Sequence, residues 1–137
     1  MSQQNVDAVR RAWEAFNRGD LGAFFADVAA DVEFVEDPAF PEAAVFHGRE
    51  EIATYLAGFQ EAMADHRFEV EEVRDLGDRV LALVHETARG TSSGADVDQR
   101  PAFLYEFRDG LIVRVRAYLD RAEGLAAVAA GTDSRPS

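Results

Sequence analysis

Two acidic side chains stand next to each other at the end of an apolar stretch, in the segment DVEFVEDPAF at residues 31–40. Burying a carboxylate without a partner is costly, so acids in this position are informative. In an apolar pocket, loss of water raises the pKa of a carboxyl group, which suits it to remove a proton from carbon. Glu36 and Asp37 are therefore candidate catalytic bases. The alternative is polar surface beside a turn.

The alternation of residue types bears on which acid would face a pocket. Successive side chains of a strand point to opposite faces, so Val32, Phe34 and Glu36 share one face. Val35 and Asp37 share the other. If Phe34 marks the core side, Glu36 points inward. A bulge near the following proline would reverse this assignment, so both alternatives stay open.

The composition excludes several classes of function. The chain has 137 residues and a net charge of −12, from 26 acidic and 14 basic residues, so it lacks the basic footprint of proteins that bind nucleic acids or anionic membranes. It has no cysteine and no lysine, which excludes cysteine nucleophiles and Schiff bases on lysine. His47, His66 and His85 lack the spacing of metal ligands. We expect no metal and no cofactor.

The N-terminal segment indicates where the protein resides. MSQQNVDAVRRAW has no signal-peptide core and begins directly with helical patterning. No apolar run reaches the ~18 residues of a membrane span. We expect a cytoplasmic protein.

The sequence predicts helices first and antiparallel strands after them. Apolar residues at helical spacing from Val6 to Phe16 predict a first helix, and a short second helix leads into the strand that Pro38 ends. Further predicted elements are a loop at 38–48, a helix at 48–65, strands at about 67–75, 79–90, 97–108 and 111–119, and a helix at 120–129. This segregation indicates an α+β domain. We expect one domain over residues 1–130 and a disordered tail at 131–137.

The order of elements resembles that of a known family. Four segments carry the resemblance together with this order: FNRGDLGAFFADVAADVEFVEDP, FHGREEIATYL, LGDRVLALV and YEFRDGLIVRVRAYLD. Over residues 4–130 the chain is similar to the SnoaL-like/ketosteroid isomerase branch of the nuclear transport factor 2-like superfamily. The resemblance implies a cone-shaped α+β barrel, in which a curved, mostly antiparallel sheet wraps around the N-terminal helices and leaves an apolar pocket. It implies a cofactor-independent isomerase, polyketide cyclase-like or lyase activity on a small hydrophobic molecule. The alternative is a non-catalytic binding or dimerisation domain of the same fold.

The resemblance also assigns the base. The ketosteroid isomerases have the same VEDP string, and its aspartate is their catalytic base. In this chain that aspartate is Asp37. The positions that match the oxyanion donors of that enzyme hold Ala12 or Trp13 and Phe103 or Leu104. Steroid isomerase activity itself is therefore not expected.

Two further acids are candidate catalytic residues. The isomerase register turns Glu86 inward, whereas the opposite register would bring His85 and Thr87 inside. Asp120 matches an acid–base aspartate of SnoaL-type cyclases, but it also precedes a helix that carries Glu123, as in a capping box. We favour the cap, because local hydrogen bonding alone accounts for it.

The resemblance implies which side chains line the pocket and which lie outside. The expected lining residues are Trp13, Phe16, Glu36, Tyr55, Phe59, Val84, Phe103, Tyr105, Val115, Ala117 and Leu119. Val113 is expected to point inward with the last three of these. Ile112, Arg114, Arg116 and Tyr118 then fall on the outer face of the sheet, through which we expect a homodimer.

Overall fold

Helices and strands follow one another in nearly the predicted order. The computed structural model describes residues 2–39, 44–90 and 96–130. Its elements are α1 (Ser2–Asn17), α2 (Leu21–Phe24), β1 (Val28–Val35), β2 (Val45–His47), α3 (Gly48–Ala62), β3 (Met63–Asp75), β4 (Arg79–Gly90), β5 (Asp96–Gln99), β6 (Ala102–Arg108), β7 (Leu111–Tyr118) and α4 (Arg121–Ala130). The tail predicted at 131–137 and most of the predicted turn at 91–96 lie outside the described residues.

The strands form one curved sheet. Their order is β2-β1-β7-β6-β4-β3, and β5 pairs with β4. All pairings are antiparallel except that of β1 with β7. The sheet stays unclosed between its edge strands β2 and β3 over the described residues. The predicted α+β class, with a mostly antiparallel sheet around the N-terminal helices, is confirmed.

The main core lies between α1 and the inner face of the sheet. Val9, Trp13 and Phe16 occupy one face of α1 and are buried, while Arg10 and Glu14 on the opposite face are exposed. This helical spacing of apolar residues is what lets α1 bury one stripe against the strands. Among the described residues, no helix has the length and apolar character to cross a membrane.

Helix α4 covers part of the outer face of the sheet. Leu125 and Val128 pack there in a second apolar cluster that includes Leu104 and Tyr118. The helix approaches closely because Gly124 has no side chain: a Cβ atom there would lie 2.8 Å from the Cβ of Ala102. Tyr118 is therefore buried within its own chain.

The structure differs from the predicted elements in three places. β2 lies inside the segment predicted as a loop and pairs with β1. The third helix ends at Ala62 instead of residue 65, and β3 begins at Met63. The strand predicted over 97–108 is interrupted at Pro101, which lacks the N–H group that a ladder requires, and this divides it into β5 and β6.

A bulge shifts the beginning of β7. The pairing of β6 with β7 passes from Glu106–Arg114 to Phe107–Ile112, so one extra residue of β7 lies between two consecutive pairs. Ile112 therefore points into the core and is 1% exposed. The outward assignment of Ile112 is therefore wrong.

The homodimer through the outer face stays a prediction. Ile112 and Tyr118, the apolar residues that suggested it, are both buried within the chain. Arg114 makes ion pairs on this face with Glu33 at 3.1 Å and Glu106 at 2.9 Å. A dimer there would have to form over this ion-paired surface.

Candidate functional site

An apolar cavity lies between the inner face of the sheet and the helices. Its volume is about 480 Å³, and aromatic side chains from α1, α2, α3, β3 and β6 make up much of its wall. Of the residues expected to line it, the wall includes Trp13, Phe16, Glu36, Tyr55, Phe59, Phe103, Tyr105, Val115, Ala117 and Leu119. Val84 does not reach the wall, because core side chains cover it completely.

Glu36 is an acid on this wall. It follows the last residue of β1 and continues the alternation that also brings Val32 and Phe34 to the cavity. The Tyr55 hydroxyl, from α3, donates a hydrogen bond to Glu36 Oε2, and the Asp37 backbone N–H donates to Oε1 at 3.1 Å. Only 8% of Glu36 is exposed. The carboxyl group is thus held in a fixed orientation in apolar surroundings.

The environment of Glu36 favours its protonated form. Burial raises the pKa of the carboxyl above its ordinary value of 4.5, and the hydrogen bonds from Tyr55 and from the Asp37 N–H oppose this only in part. The negative charges of Asp37 and Glu86 raise the pKa further. A carboxylate with a raised pKa is a stronger base when it is ionised.

Asp37 lies next to this site but bonds to the backbone instead. Its Oδ1 accepts a hydrogen bond from the Ala39 N–H at 2.8 Å, and its Oδ2 accepts one from the Leu119 N–H at 2.7 Å. It is buried and is not among the residues that line the cavity. Of the two adjacent acids, Glu36 therefore faces the cavity, and Asp37 joins the end of β1 to the end of β7.

Glu86 is a second acid on the cavity wall. Its Oε2 lies 2.7 Å from Nε2 of His66, and its Oε1 accepts a hydrogen bond from the Gln99 amide at 3.0 Å. All three residues line the cavity. Glu86 thus lies on the face of β4 that is turned to the cavity. His85 lies on the other face of β4 and pairs with Asp98 at 2.7 Å.

Asp120 lies at the N-terminal end of α4. Its carboxylate accepts a hydrogen bond from the Ala122 N–H at 2.9 Å, and its carbonyl oxygen accepts one from the Glu123 N–H at 3.0 Å. It is exposed and does not line the cavity. These contacts correspond to the capping alternative rather than to the acid–base role.

Sequence reasoning did not select His66 and Gln99 as site residues. The sequence placed His66 at the end of a helix, but α3 ends earlier and His66 belongs to β3. The available signal was the alternation of His66, Phe68 and Val70, which extends the strand pattern backwards past residue 67. Gln99 carried no comparable signal.

Two further polar groups of the wall lie close together. The indole Nε1 of Trp13 is buried and lies beside the Tyr105 hydroxyl. The neighbouring Tyr105 phenol is neutral, because burial raises its pKa well above the ordinary value of 10.0. Both groups are donors. Within the described parts of the chain, no three His, Asp or Glu side chains are grouped so that they could hold a metal ion.

The raised pKa of Glu36 predicts how stability depends on pH. A carboxyl whose pKa is higher in the folded state than in the unfolded chain stabilises the fold below about pH 4.5, and this contribution is lost as the pH rises towards the folded-state pKa. Glu36→Gln cannot ionise. The melting temperature of this variant should therefore rise relative to wild type as the pH increases from about 4 to about 8. Glu123→Gln, an exposed control, should show no such trend, and a constant difference for Glu36→Gln would contradict the prediction.

Comparison with known proteins identifies one family. A family model described as a SnoaL-like domain matches residues 9–115. None of the curated proteins that were compared matches the chain.

Solved structures share the fold. An NTF2-like protein of unknown function from Burkholderia pseudomallei is 23% identical with a TM-score of 0.77, over 90% of this chain and 95% of that one. A putative SnoaL-like polyketide cyclase from Jannaschia sp. is 20% identical with a TM-score of 0.76, over 92% of each chain. AclR, a putative hydroxylase from Streptomyces galilaeus, is 17% identical with a TM-score of 0.73, over 94% of this chain and 98% of that one. At these identities the likeness concerns the fold.

Proposed function

The chain belongs to the SnoaL-like domain family, and from this premise we propose that it binds a small hydrophobic carbonyl compound in the cavity and transfers a proton at the carbon next to the carbonyl group. Glu36 is the base, and no cofactor takes part. Isomerisation, cyclisation and dehydration all pass through such a proton transfer. The observation that carries the proposal is the buried Glu36 carboxylate, which faces an apolar cavity and is oriented by Tyr55.

The cavity supports a flat, hydrophobic ligand. Its 480 Å³ equal the liquid volume of about 16 water molecules at about 30 Å³ each, which is room for a small molecule of several fused rings. Trp13 stacks on Phe68 with a centroid distance of 4.3 Å, and Tyr55 stacks on Phe46 at the same distance. Aromatic walls of this kind favour ligands with planar faces.

The chemistry follows from the surroundings of Glu36. An ionised carboxylate with little water around it gains by taking up a proton, so its desolvation drives removal of the acidic hydrogen of a bound ketone. Tyr55 and the Asp37 N–H hold the two carboxylate oxygens, which fixes the direction of the remaining lone pairs. A fixed base next to a confined ligand also avoids the entropy cost of bringing the two together.

Binding and proton exchange together test this function. Trp13 is the only tryptophan in the chain and lines the cavity, so its fluorescence should change when a ligand enters. A panel of aromatic ketones, steroid ketones and fatty acids should contain compounds that change the fluorescence and raise the melting temperature. The protein should also accelerate deuterium uptake at the acidic carbon of β-tetralone in D₂O, measured by proton NMR.

Two results would contradict the proposal. If no compound of the panel changes the fluorescence or the melting temperature, the cavity does not bind small hydrophobic molecules. If ketones bind but deuterium uptake stays at the rate of the buffer, the protein is the non-catalytic binding domain that the same fold also allows. The variant Glu123→Gln, at an exposed position on α4, should behave as wild type in both assays.

A further inference from the structure

A buried polar cluster interrupts the apolar wall of the cavity. Three strands contribute one residue each: His66 from β3, Glu86 from β4 and Gln99 from β5. The Glu86 carboxylate lies between the other two, 2.7 Å from His66 Nε2 and 3.0 Å from the Gln99 amide nitrogen. Only 7% of the His66 side chain and 13% of the Glu86 side chain are exposed. The pair is thus shielded from water.

The contacts of Glu86 determine the protonation pattern of His66. A carboxylate accepts hydrogen bonds, so Nε2 of His66 carries the proton that points to Glu86. Gln99 donates to the other carboxylate oxygen, which fixes the plane of the carboxylate and with it the imidazole ring. Only Nδ1 of His66 is left to exchange a proton with another group.

Nδ1 of His66 has no partner among the described residues. It is buried and makes no hydrogen bond. The ring itself lies among the aromatic side chains of Phe16, Phe59 and Phe68, with centroid distances of 5.3, 6.1 and 4.8 Å. An unpaired polar atom in such surroundings costs free energy in the empty protein. A purely structural ion pair would not require Nδ1 to stay unpaired. A ligand oxygen in the cavity would give Nδ1 a hydrogen-bond partner and so remove this cost in free energy.

We propose that His66 is a second proton-transfer residue of the site, which as the imidazolium donates a hydrogen bond from Nδ1 to the carbonyl oxygen of the ligand and is positioned by Glu86 and Gln99. This inference rests on the proposed function and specifies it: the substrate is a hydrophobic ketone that enolises between two residues. Glu36, His66 and Glu86 line the same cavity, so a single small ligand in it can contact both Glu36 and His66.

The proton transfers balance as follows. The Glu36 carboxylate takes the proton from the carbon next to the carbonyl group, and the C–H electron pair becomes the C=C bond of the enol. The carbonyl oxygen takes the Nδ1 proton of the His66 imidazolium, whose Nε2 proton stays with Glu86. Protonated Glu36 then returns its proton to a carbon of the enol, and the oxygen returns its proton to His66. Both residues end in their starting states, and no oxidant or reductant is needed.

A matched pair of ligands and a matched pair of variants test the contact. β-Naphthol resembles the enol of β-tetralone, and naphthalene has the same rings without the oxygen. His66→Phe should weaken binding of β-naphthol about tenfold, the value of one hydrogen bond, and leave naphthalene binding unchanged, as measured by Trp13 fluorescence. His85→Phe makes the same change on the other face of β4 and should alter neither affinity. Equal losses for both ligands in His66→Phe would overturn the inference.

The same variants test the proton transfer. His66→Phe should slow deuterium uptake into β-tetralone about 100-fold, within the range of a general acid. Glu86→Gln keeps the shape of the cluster and serves if His66→Phe does not fold. It should lower kcat about tenfold with KM within about twofold, as expected for a residue that acts through a catalytic group. Uptake at the wild-type rate in Glu86→Gln and in a folded His66→Phe would overturn the inference.

The double variant of His66→Phe and Glu86→Gln tests whether Glu86 acts through His66. If Glu86 acts through His66, the double variant should exchange deuterium no more slowly than His66→Phe alone, whereas additive losses of rate would contradict the positioning role.

The two assays separate the inference from the proposed function. If wild type binds β-naphthol through His66 but exchanges no deuterium, the proposed function is refuted while the contact is supported. Exchange that depends on Glu36 but not on His66 would refute the inference alone.

Discussion

Glu36→Gln is expected to reduce the rate of deuterium uptake into β-tetralone by at least about 100-fold, because a positioned general base contributes about 10²–10⁴ to the rate. Glutamine has nearly the same size, and its amide oxygen can still accept the hydrogen bond of Tyr55. It cannot accept a proton from carbon. Since the apolar wall is unchanged, binding of naphthalene should stay within about twofold of wild type while the rate falls. NMR measurement of uptake at saturating ketone gives the change in kcat directly.

The control for this experiment is an acid that undergoes the same change elsewhere. Glu123→Gln removes one carboxylate from the exposed side of α4 and should leave the rate unchanged. A variant Glu36→Gln that retains more than about a tenth of the wild-type rate would exclude Glu36 as the base, since such a small loss is below what a positioned base contributes.

Tyr55 and Glu86 influence Glu36 in opposite directions. The Tyr55 hydrogen bond stabilises the ionised carboxylate, whereas the negative charge of Glu86 destabilises it. Burial acts in the same direction as Glu86 and outweighs the Tyr55 hydrogen bond, so the pKa of Glu36 is raised. The stronger base that results is obtained at a cost in stability above about pH 4.5. A buried acid with this profile suits a function better than it suits the fold.

The direction of Glu36 was predictable from local physics. Alternation along β1 placed it on the same face as Phe34, and the cavity lies on that face. The resemblance in the VEDP string pointed to the neighbouring Asp37 instead. The period of two residues in a strand follows from backbone geometry, whereas a short shared string does not specify which of two adjacent acids turns inward.

The His66–Glu86–Gln99 cluster was not predictable in the same way. It depends on the register among β3, β4 and β5, and the pairing of β3 with β4 shifts between Ala64 and Arg67, the interval that contains His66. A shift of one residue moves a side chain to the opposite face. The same reason explains the error at Ile112, where a bulge reverses the expected faces. Periodicity within one strand gives the faces, but the pairing between strands decides which polar residues meet.

Asp37→Ala is expected to lower stability strongly and to leave the chemistry intact. The Asp37 carboxylate accepts hydrogen bonds from the N–H groups of Ala39 and Leu119. Hydrogen bonds to a charged group contribute about 1.5–3 kcal/mol each, and a buried donor left without an acceptor costs about 1–3 kcal/mol. Because Leu119 leads from β7 into α4, we expect the free energy of unfolding to fall by about 2–4 kcal/mol in urea titrations.

The two adjacent acids should therefore give opposite results. The rate of deuterium uptake per folded molecule of Asp37→Ala should stay within about threefold of wild type, since its carboxylate bonds to the backbone and does not line the cavity. Asp31→Ala, at an exposed position of β1, should change neither stability nor rate by much. If the rate in Asp37→Ala falls about 100-fold while the protein remains folded, Asp37 is the base. A stable Asp37→Ala variant would instead show that the hydrogen bond from the Leu119 N–H does not hold the ends of β1 and β7 together.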